Sequence, residues 1–337
     1  MGAMRYGMVV GGPLAAIGPL ARAIEDHGFD SVWSTETSSN PFIQAALAAQ
    51  ATARVRVGTA IALAFPRSPG IAAMEAFDLD ELSGGRFILG LGTQVKRVNE
   101  QRFSTPFEHP APRMKEYAAA LRAFWGGYAG LEPTHRGRFY TVTMAPWPRI
   151  VPPVRPQVPV YFAAVGQGML RAAGAAADGV IGHPMTSPRY VSEVVLPSIA
   201  SGAASAGREP GGVELVQNVM VSIAGDPAVA RAEVAQQIGF YATTPDYRSV
   251  LDLHGFGDVQ PLVRRAYAER DWPRLASLVT EEMASTYALF GTADEVVDQA
   301  RRFDGLVGEL LLGGPWYRVP VGRLLENHLA ILEAFAR

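Results

Sequence analysis

Residues 81–103 read ELSGGRFILGLGTQVKRVNEQRF. Gly84-Gly85 marks the end of a helix, because two glycines tolerate the left-handed backbone that closes helices. A short apolar strand, Phe87 to Gly92, follows. It breaks into a polar tail of Thr93, Gln94, Lys96, Arg97 and Asn99. A strand that is apolar along its length and polar only past its C-terminal end belongs to a parallel sheet covered on both faces. When such a sheet closes into a barrel, that rim carries the chemistry.

The same rhythm runs outward from this segment in both directions. Upstream, strands are expected at Tyr6–Val10, Asp30–Ser34 and Val55–Leu63. Helices are expected from Pro13 to Gly28, over Phe42–Ala53 and over Ile71–Leu82. The first helix sets Ile17, Leu20, Ala21 and Ile24 on one face at helical spacing. Downstream, a helix covers Arg113–Trp125. A connector with six prolines between Pro146 and Pro159 then excludes regular structure. It has the composition of a domain boundary, yet the alternation resumes unchanged. Strands at Val160–Ala164, Gly179–Gly182, Val213–Ile223 and Glu309–Leu312 are interleaved with helices from Met169 to Ala177 and over Tyr190–Ser205, and a helix over Val321–Ala336 closes the chain. Eight βα units predict a (β/α)8 TIM barrel as one domain over residues 1–337. The doubly wound alternative lacks its nucleotide fingerprint: both Gly166-Gln167-Gly168 and Gly90-Leu91-Gly92 miss the third glycine. Residues 240–291, between strands seven and eight, carry helical patches at Val259–Arg270 and Leu275–Phe290 and no clear strand. That insertion is read as a lid or as an ordinary helical hairpin.

Composition narrows the functional classes. The 337 residues include no cysteine, 48% hydrophobic residues and a formal net charge of −2. This balance gives no reason to expect nucleic acid or a membrane surface as partner, and no apolar run approaches the ~20 residues of a membrane span. Without cysteine there is no disulfide framework and no thiolate metal site, which points towards the cytoplasm. The six histidines form no HExxH and no close pair, so no metal is expected. No GxSxG elbow is present, which leaves acyl transfer unsupported.

Polar residues at strand C-termini are the candidate chemistry. Glu36 and Thr37 end strand two, Gln94 and Lys96 end strand four, and His183 follows strand six. Each also fits a merely polar loop. Ala164-Val165-Gly166-Gln167-Gly168-Met169 leads from strand five into a helix; small residues and free helix N–H groups there suit a phosphate as well as a tight turn.

Taken together, DLDELSGGRFILGLGTQVKRV, PVYFAAVGQGMLRAAGAAADGVIGHP and GTAIALAFPRSP resemble the luciferase-like flavin and deazaflavin oxidoreductases over nearly the whole chain. The pattern is most similar to the branch that uses the deazaflavin coenzyme F-420. The resemblance implies a coenzyme ring over the strand C-termini, a non-prolyl cis peptide within Thr59-Ala60-Ile61, and a coenzyme phosphate on Gly166, Gln167, Gly168 and Met169. It also implies a homodimer paired through outer helices. One departure stands out: Thr37 occupies the place of a basic histidine after the acid of strand two. Reduction of a small C=C, C=N or C=O acceptor is therefore the expected direction, with Lys96, Glu36 or His183 handling the proton. Trp316 and Tyr317 then form part of the pocket wall, with Tyr241 and Tyr247 covering it. An FMN-dependent monooxygenase and a non-catalytic coenzyme-binding protein are the alternatives.

Overall fold

The computed structural model describes residues 4–337. Its eight barrel strands are β1 (Arg5–Val10), β2 (Ser31–Ser34), β3 (Arg56–Thr59), β4 (Phe87–Gly92), β5 (Val160–Ala164), β6 (Gly179–Gly182), β7 (Glu214–Ile223) and β8 (Glu309–Gly313). Every neighbouring pair is parallel, and β8 returns to β1, closing the barrel. The helices that alternate with them are α1 (Leu14–Asp26), α2 (Pro41–Ala51), α3 (Pro69–Ser83), α4 (Pro110–Tyr128), α5 (Gln167–Ala176), α6 (Leu196–Ser205), α7 (Ala293–Ala300) and α8 (Val321–Ala334). Local chemistry sets their ends. Asn40 caps α2 by accepting the Phe42 N–H at 2.9 Å, and Ser68 caps α3 through Ile71 N–H at 3.2 Å. Gly84, at φ +65°, ends α3 in the left-handed region.

Inside the barrel one side chain from most strands fills the axis: Trp33, Ile88, Tyr161, Ile181, Val216 and Leu311. Strand β3 contributes none here, because a Cβ on Gly58 would lie 2.5 Å from the Trp33 indole. Below this layer, at the strand N-termini, sits a charged plug. Glu309 is fully buried and accepts from Ser31, Arg56 and Trp33. Glu214 pairs with Arg5 and Arg56 and accepts from Tyr161. Burial pushes the Glu214 carboxyl up, but Arg56, Tyr161 and Arg5 outweigh it and hold its pKa below the ordinary value.

Three expectations need correction. Strand three is not continuous over Val55–Leu63: it runs Arg56–Thr59 and resumes at Ala62–Leu63, with a cis Ala60–Ile61 peptide between. The polar tail after β4 is a helix, Lys96–Arg102. Its seven residues are too short for helical periodicity to register. The insertion does contain a strand. Leu275–Phe290 is two helices, Trp272–Ser277 and Glu281–Tyr287, followed by strand Ala288–Gly291. That strand pairs with the upper half of β7, Met220 to Ile223. Four apolar residues carry no alternation, and their partner is the overhang of a strand 65 or more residues away, so nothing local announces them.

Candidate active site

Period-two geometry places the rim. Residues two positions beyond the buried axial layer point into the mouth above it. They are small or polar: Ala163 above Tyr161, His183 above Ile181, Asn218 above Val216 and Gly313 above Leu311. Ala60, Ile61 and Val9 lie against the same axial layer. Each of these keeps partial exposure, whereas the layer beneath is sealed. The result is a largely apolar floor at the C-terminal end, with His183 and Asn218 as its polar members.

The Thr59–Leu63 break in the floor is braced by side chains and backbone. Thr59 Oγ1 donates to Gly90 O at 2.7 Å and accepts the Gly90 N–H at 3.0 Å. Ala60 N–H donates to Ser34 O, and Glu36 N–H to Ile61 O. The Glu36 carboxylate accepts the Leu63 N–H at 2.7 Å and takes a bidentate pair from Arg67 at 2.7 and 2.8 Å. Burial opposes the Arg67 charge, and Glu36 outweighs it, holding the Arg67 pKa above its ordinary value. Glu36 therefore has its oxygens engaged in holding this segment.

Two strands round the barrel from β3, after β5, α5 starts at Gln167 with Gly166 in the capping position and no side chain capping it. The N–H groups of Met169 and Leu170 bond to Gly166 O, while those of Gln167 and Gly168 have no protein acceptor among the described residues. A Cβ at Gly166 or Gly168 would meet nothing within 4 Å, so an anion can approach the backbone from solvent. Arg171, one turn on, bonds Gln167 Oε1 at 3.3 Å. Donor type, exposure and dipole all fit a phosphate. Ala164 and Val165 lead into this turn, and Tyr190 Oη donates to Val165 O at 3.1 Å.

His183 is held from three directions. Its carbonyl accepts from Gln217 at 3.0 Å, its Nδ1 accepts the Met185 N–H at 3.0 Å, and its Nε2 lies 2.8 Å from Tyr247 Oη. Tyr247 stacks on the imidazole at 4.5 Å and Tyr241 meets it edge-on at 4.7 Å. Burial pushes the His183 pKa down to about 3, so the ring is neutral at physiological pH. Burial, with Tyr241 and Asp246 beside it, pushes the Tyr247 phenol up. The loop after β8 completes this wall. Tyr317 stacks on Phe240 at 4.2 Å with an interplanar angle of 13°, and Trp316 meets the same ring at 5.5 Å. Gln237 Oε1 fixes the loop by accepting the N–H groups of Trp316 and Tyr317 at 2.9 and 2.8 Å.

The remaining sequence candidates follow β2 and β4 and are exposed. Lys96 is exposed and lies 3.7 Å from Glu100 one helical turn along. Gln94 is exposed at φ +56°, its side chain accepting the Val95 N–H, and Thr37 is exposed in the β2 loop. Sequence reading missed Asn218, Phe240 and Gln237. Asn218 was legible in principle as a polar residue interrupting a long apolar strand. The bond from Gln237 to a loop some 80 residues later leaves no local signal. Among the described residues no group of three or more His, Asp or Glu is placed to hold a metal, and no helix is long and apolar enough to cross a membrane.

The family model described as luciferase-like monooxygenase matches residues 3–309. The chain belongs to that family. It is 41% identical to an uncharacterized protein of Mycobacterium tuberculosis, over 88% of this chain and 89% of that one. It is 31% identical to the 5,10-methylenetetrahydromethanopterin reductase of Methanolobus tindarius, over 84% and 85%. In structure, the luciferase-like barrel superposes on the coenzyme F-420-dependent tetrahydromethanopterin reductase of Methanopyrus kandleri. The TM-score is 0.82 at 23% identity, over 99% and 98% of the two chains. A secondary alcohol dehydrogenase, also F-420-dependent, superposes with a TM-score of 0.75 at 20% identity, over 99% of each.

Proposed function

We propose that this protein is a deazaflavin-dependent oxidoreductase, using coenzyme F-420 to reduce a small organic C=C, C=N or C=O compound. The observation that carries the reading is the apolar floor of Ala60, Ile61 and Ala163, set beside the uncapped Gly166–Gly168 turn. A flat tricyclic ring suits the floor, and a phosphate on its side chain suits the turn. The 31% identity to a methylenetetrahydromethanopterin reductase supports the same chemistry. Bound there, the reduced coenzyme supplies a hydride. The chain's own residues do the rest. Gly166, Gln167, Gly168 and Met169 hold the anion, and Thr59, Ala60 and Ile61 support the ring. Phe240, Trp316 and Tyr317 exclude water from the acceptor side. Of the three polar candidates, Glu36 is committed to Arg67 and Lys96 pairs with Glu100, while His183 is a neutral ring at the floor, bonded to Tyr247. Glu36 is read here as a bracing residue.

The family description favours one second reading, FMN with oxygen as in a monooxygenase. In either case the chain acts as one barrel domain with its insertion. A homodimer is proposed through α2 and α3, where Ile43, Ile71 and Met74 are exposed, and the cytoplasm is the expected compartment.

Fluorescence titration of the apoprotein with coenzyme F-420 and, separately, with FMN tests the coenzyme. Micromolar or tighter binding of the deazaflavin alone is expected, followed by turnover in an anaerobic panel of enones, imines and ketones. Selective FMN binding would overturn the deazaflavin reading, and binding of neither would overturn both.

A further inference from the structure

A neutral imidazole carries one N–H and one acceptor nitrogen. His183 Nδ1 already accepts the Met185 N–H at 3.0 Å, so the ring hydrogen resides on Nε2. Nε2 lies 2.8 Å from Tyr247 Oη, and in that contact the imidazole donates and the phenol oxygen accepts. The hydroxyl hydrogen of Tyr247 is therefore left over, and it bonds no other group among the described residues. The Tyr247 ring is held by stacking on His183 at 4.5 Å with an interplanar angle of 27°, and Tyr241 meets it edge-on at 6.1 Å. Both rings and His183 keep partial exposure above the sealed barrel core.

We propose that Tyr247 is the hydrogen-bond and proton donor to the reducible group of the substrate, with His183 as the positioning residue that fixes its direction. The inference rests on the oxidoreductase reading above and deepens it. A neutral phenol beside a neutral imidazole selects an uncharged acceptor, a ketone, an aldehyde or an imine, over a carboxylate or an ammonium. For a ketone, a C–H bond forms at the carbonyl carbon with the hydride of the reduced deazaflavin, and the C=O π pair moves to oxygen. That oxygen takes the Tyr247 proton as the phenolic O–H bond breaks. The phenolate oxygen stays bonded to Nε2–H until water reprotonates it. His183 does not pass the proton on: with Nδ1 engaged, loss of the Nε2 hydrogen would leave an imidazolate. Burial, which pushes its pKa down to about 3, keeps it from becoming a cation instead.

The test uses wild type and Tyr247→Phe, loaded with oxidised coenzyme F-420, and cyclohexanone labelled with carbon-13 at the carbonyl as probe. Phenylalanine keeps the stacked ring and removes only the hydroxyl. In the wild type the infrared carbonyl stretch is expected at lower wavenumber than in the variant, and the variant is expected to bind the ketone roughly tenfold more weakly. Equal stretch and affinity in the two proteins, or no ketone binding to the wild type, overturns the proposal. Nitrogen-15 NMR of the wild type provides a readout independent of any ligand. Nε2 is expected protonated and Nδ1 unprotonated at pH 7; the reverse tautomer overturns the positioning role. Titration with the coenzyme alone separates the two levels, because a wild type that binds no deazaflavin refutes the underlying function instead.

Discussion

Thr59→Val removes one oxygen from the barrel wall and isolates a specific pair of hydrogen bonds. The β3–β4 ladder runs to Gly58 opposite Ile88 and resumes with Ala62 opposite Leu91. Between those points the Gly90 N–H and C=O are served by the Thr59 hydroxyl at 3.0 and 2.7 Å. Thr59 is fully buried, so water cannot replace it. The strands cannot close the gap either, since a Cβ on Gly90 would already lie 1.8 Å from Thr59 O. Valine is nearly isosteric and leaves two buried polar groups unpaired, each costing roughly 1–3 kcal/mol, or about 2–6 kcal/mol together. Thr59→Ser keeps the hydroxyl and loses one methyl, for about 1 kcal/mol. Urea denaturation of the three proteins, followed by circular dichroism, reads the difference. A Val variant as stable as the Ser variant would refute the assignment of Thr59 as the substitute for the missing ladder bonds. Coenzyme affinity should fall along with stability, because Ala60 and Ile61 hang from this point.

Gly168→Ala separates binding from folding: the new methyl meets no protein atom within 4 Å, so thermal stability should hold while coenzyme affinity drops about tenfold or more, a loss comparable to one or two charge-assisted hydrogen bonds. Glu309→Gln should do the opposite. It strips the buried partner of Arg56 and Arg5 and costs about 3 kcal/mol in urea, yet leaves coenzyme binding within about twofold by titration, since the plug lies at the far end of the barrel. Acid should weaken the fold earlier than carboxylates alone would allow. Burial pushes His183 and His328 down to about 3 and about 4, so their contribution is intact above the unfolded value near 6.5 and is lost as pH falls towards those folded values. By pH 5 each costs on the order of 2 kcal/mol. A urea midpoint unchanged between pH 7 and pH 5 would contradict this.

The sequence made the barrel legible because parallel strands buried on both faces are dense apolar runs, and β4, β5 and β6 have their expected bounds. It was less informative where structure comes from distant partners. Glu36 reads as a free acid at a strand end, and its engagement depends on Arg67, which only the folded loop brings within 2.7 Å. Lys96 reads as a rim cation, and the helix that turns it outward is too short to show a period. His183 and Tyr247 were each visible as polar or aromatic residues. Their 2.8 Å contact joins positions 64 residues apart, and no spacing rule encodes that. The strand Ala288–Gly291 was hidden for the same reason.

That strand changes how this enzyme could be remodelled. The insertion is stitched into the sheet at its exit, on the overhang of β7, and enters through the helix Pro227–Ala242, which packs against the same part of the molecule. Both ends are thus mortared into the wall, and the aromatic side chains between them act as interchangeable tiles on a fixed frame. Grafting a relative's insertion should succeed only if the Met220–Ile223 seam travels with it. Redesign of acceptor preference should instead start from single changes at Phe240, Tyr241 and Trp316.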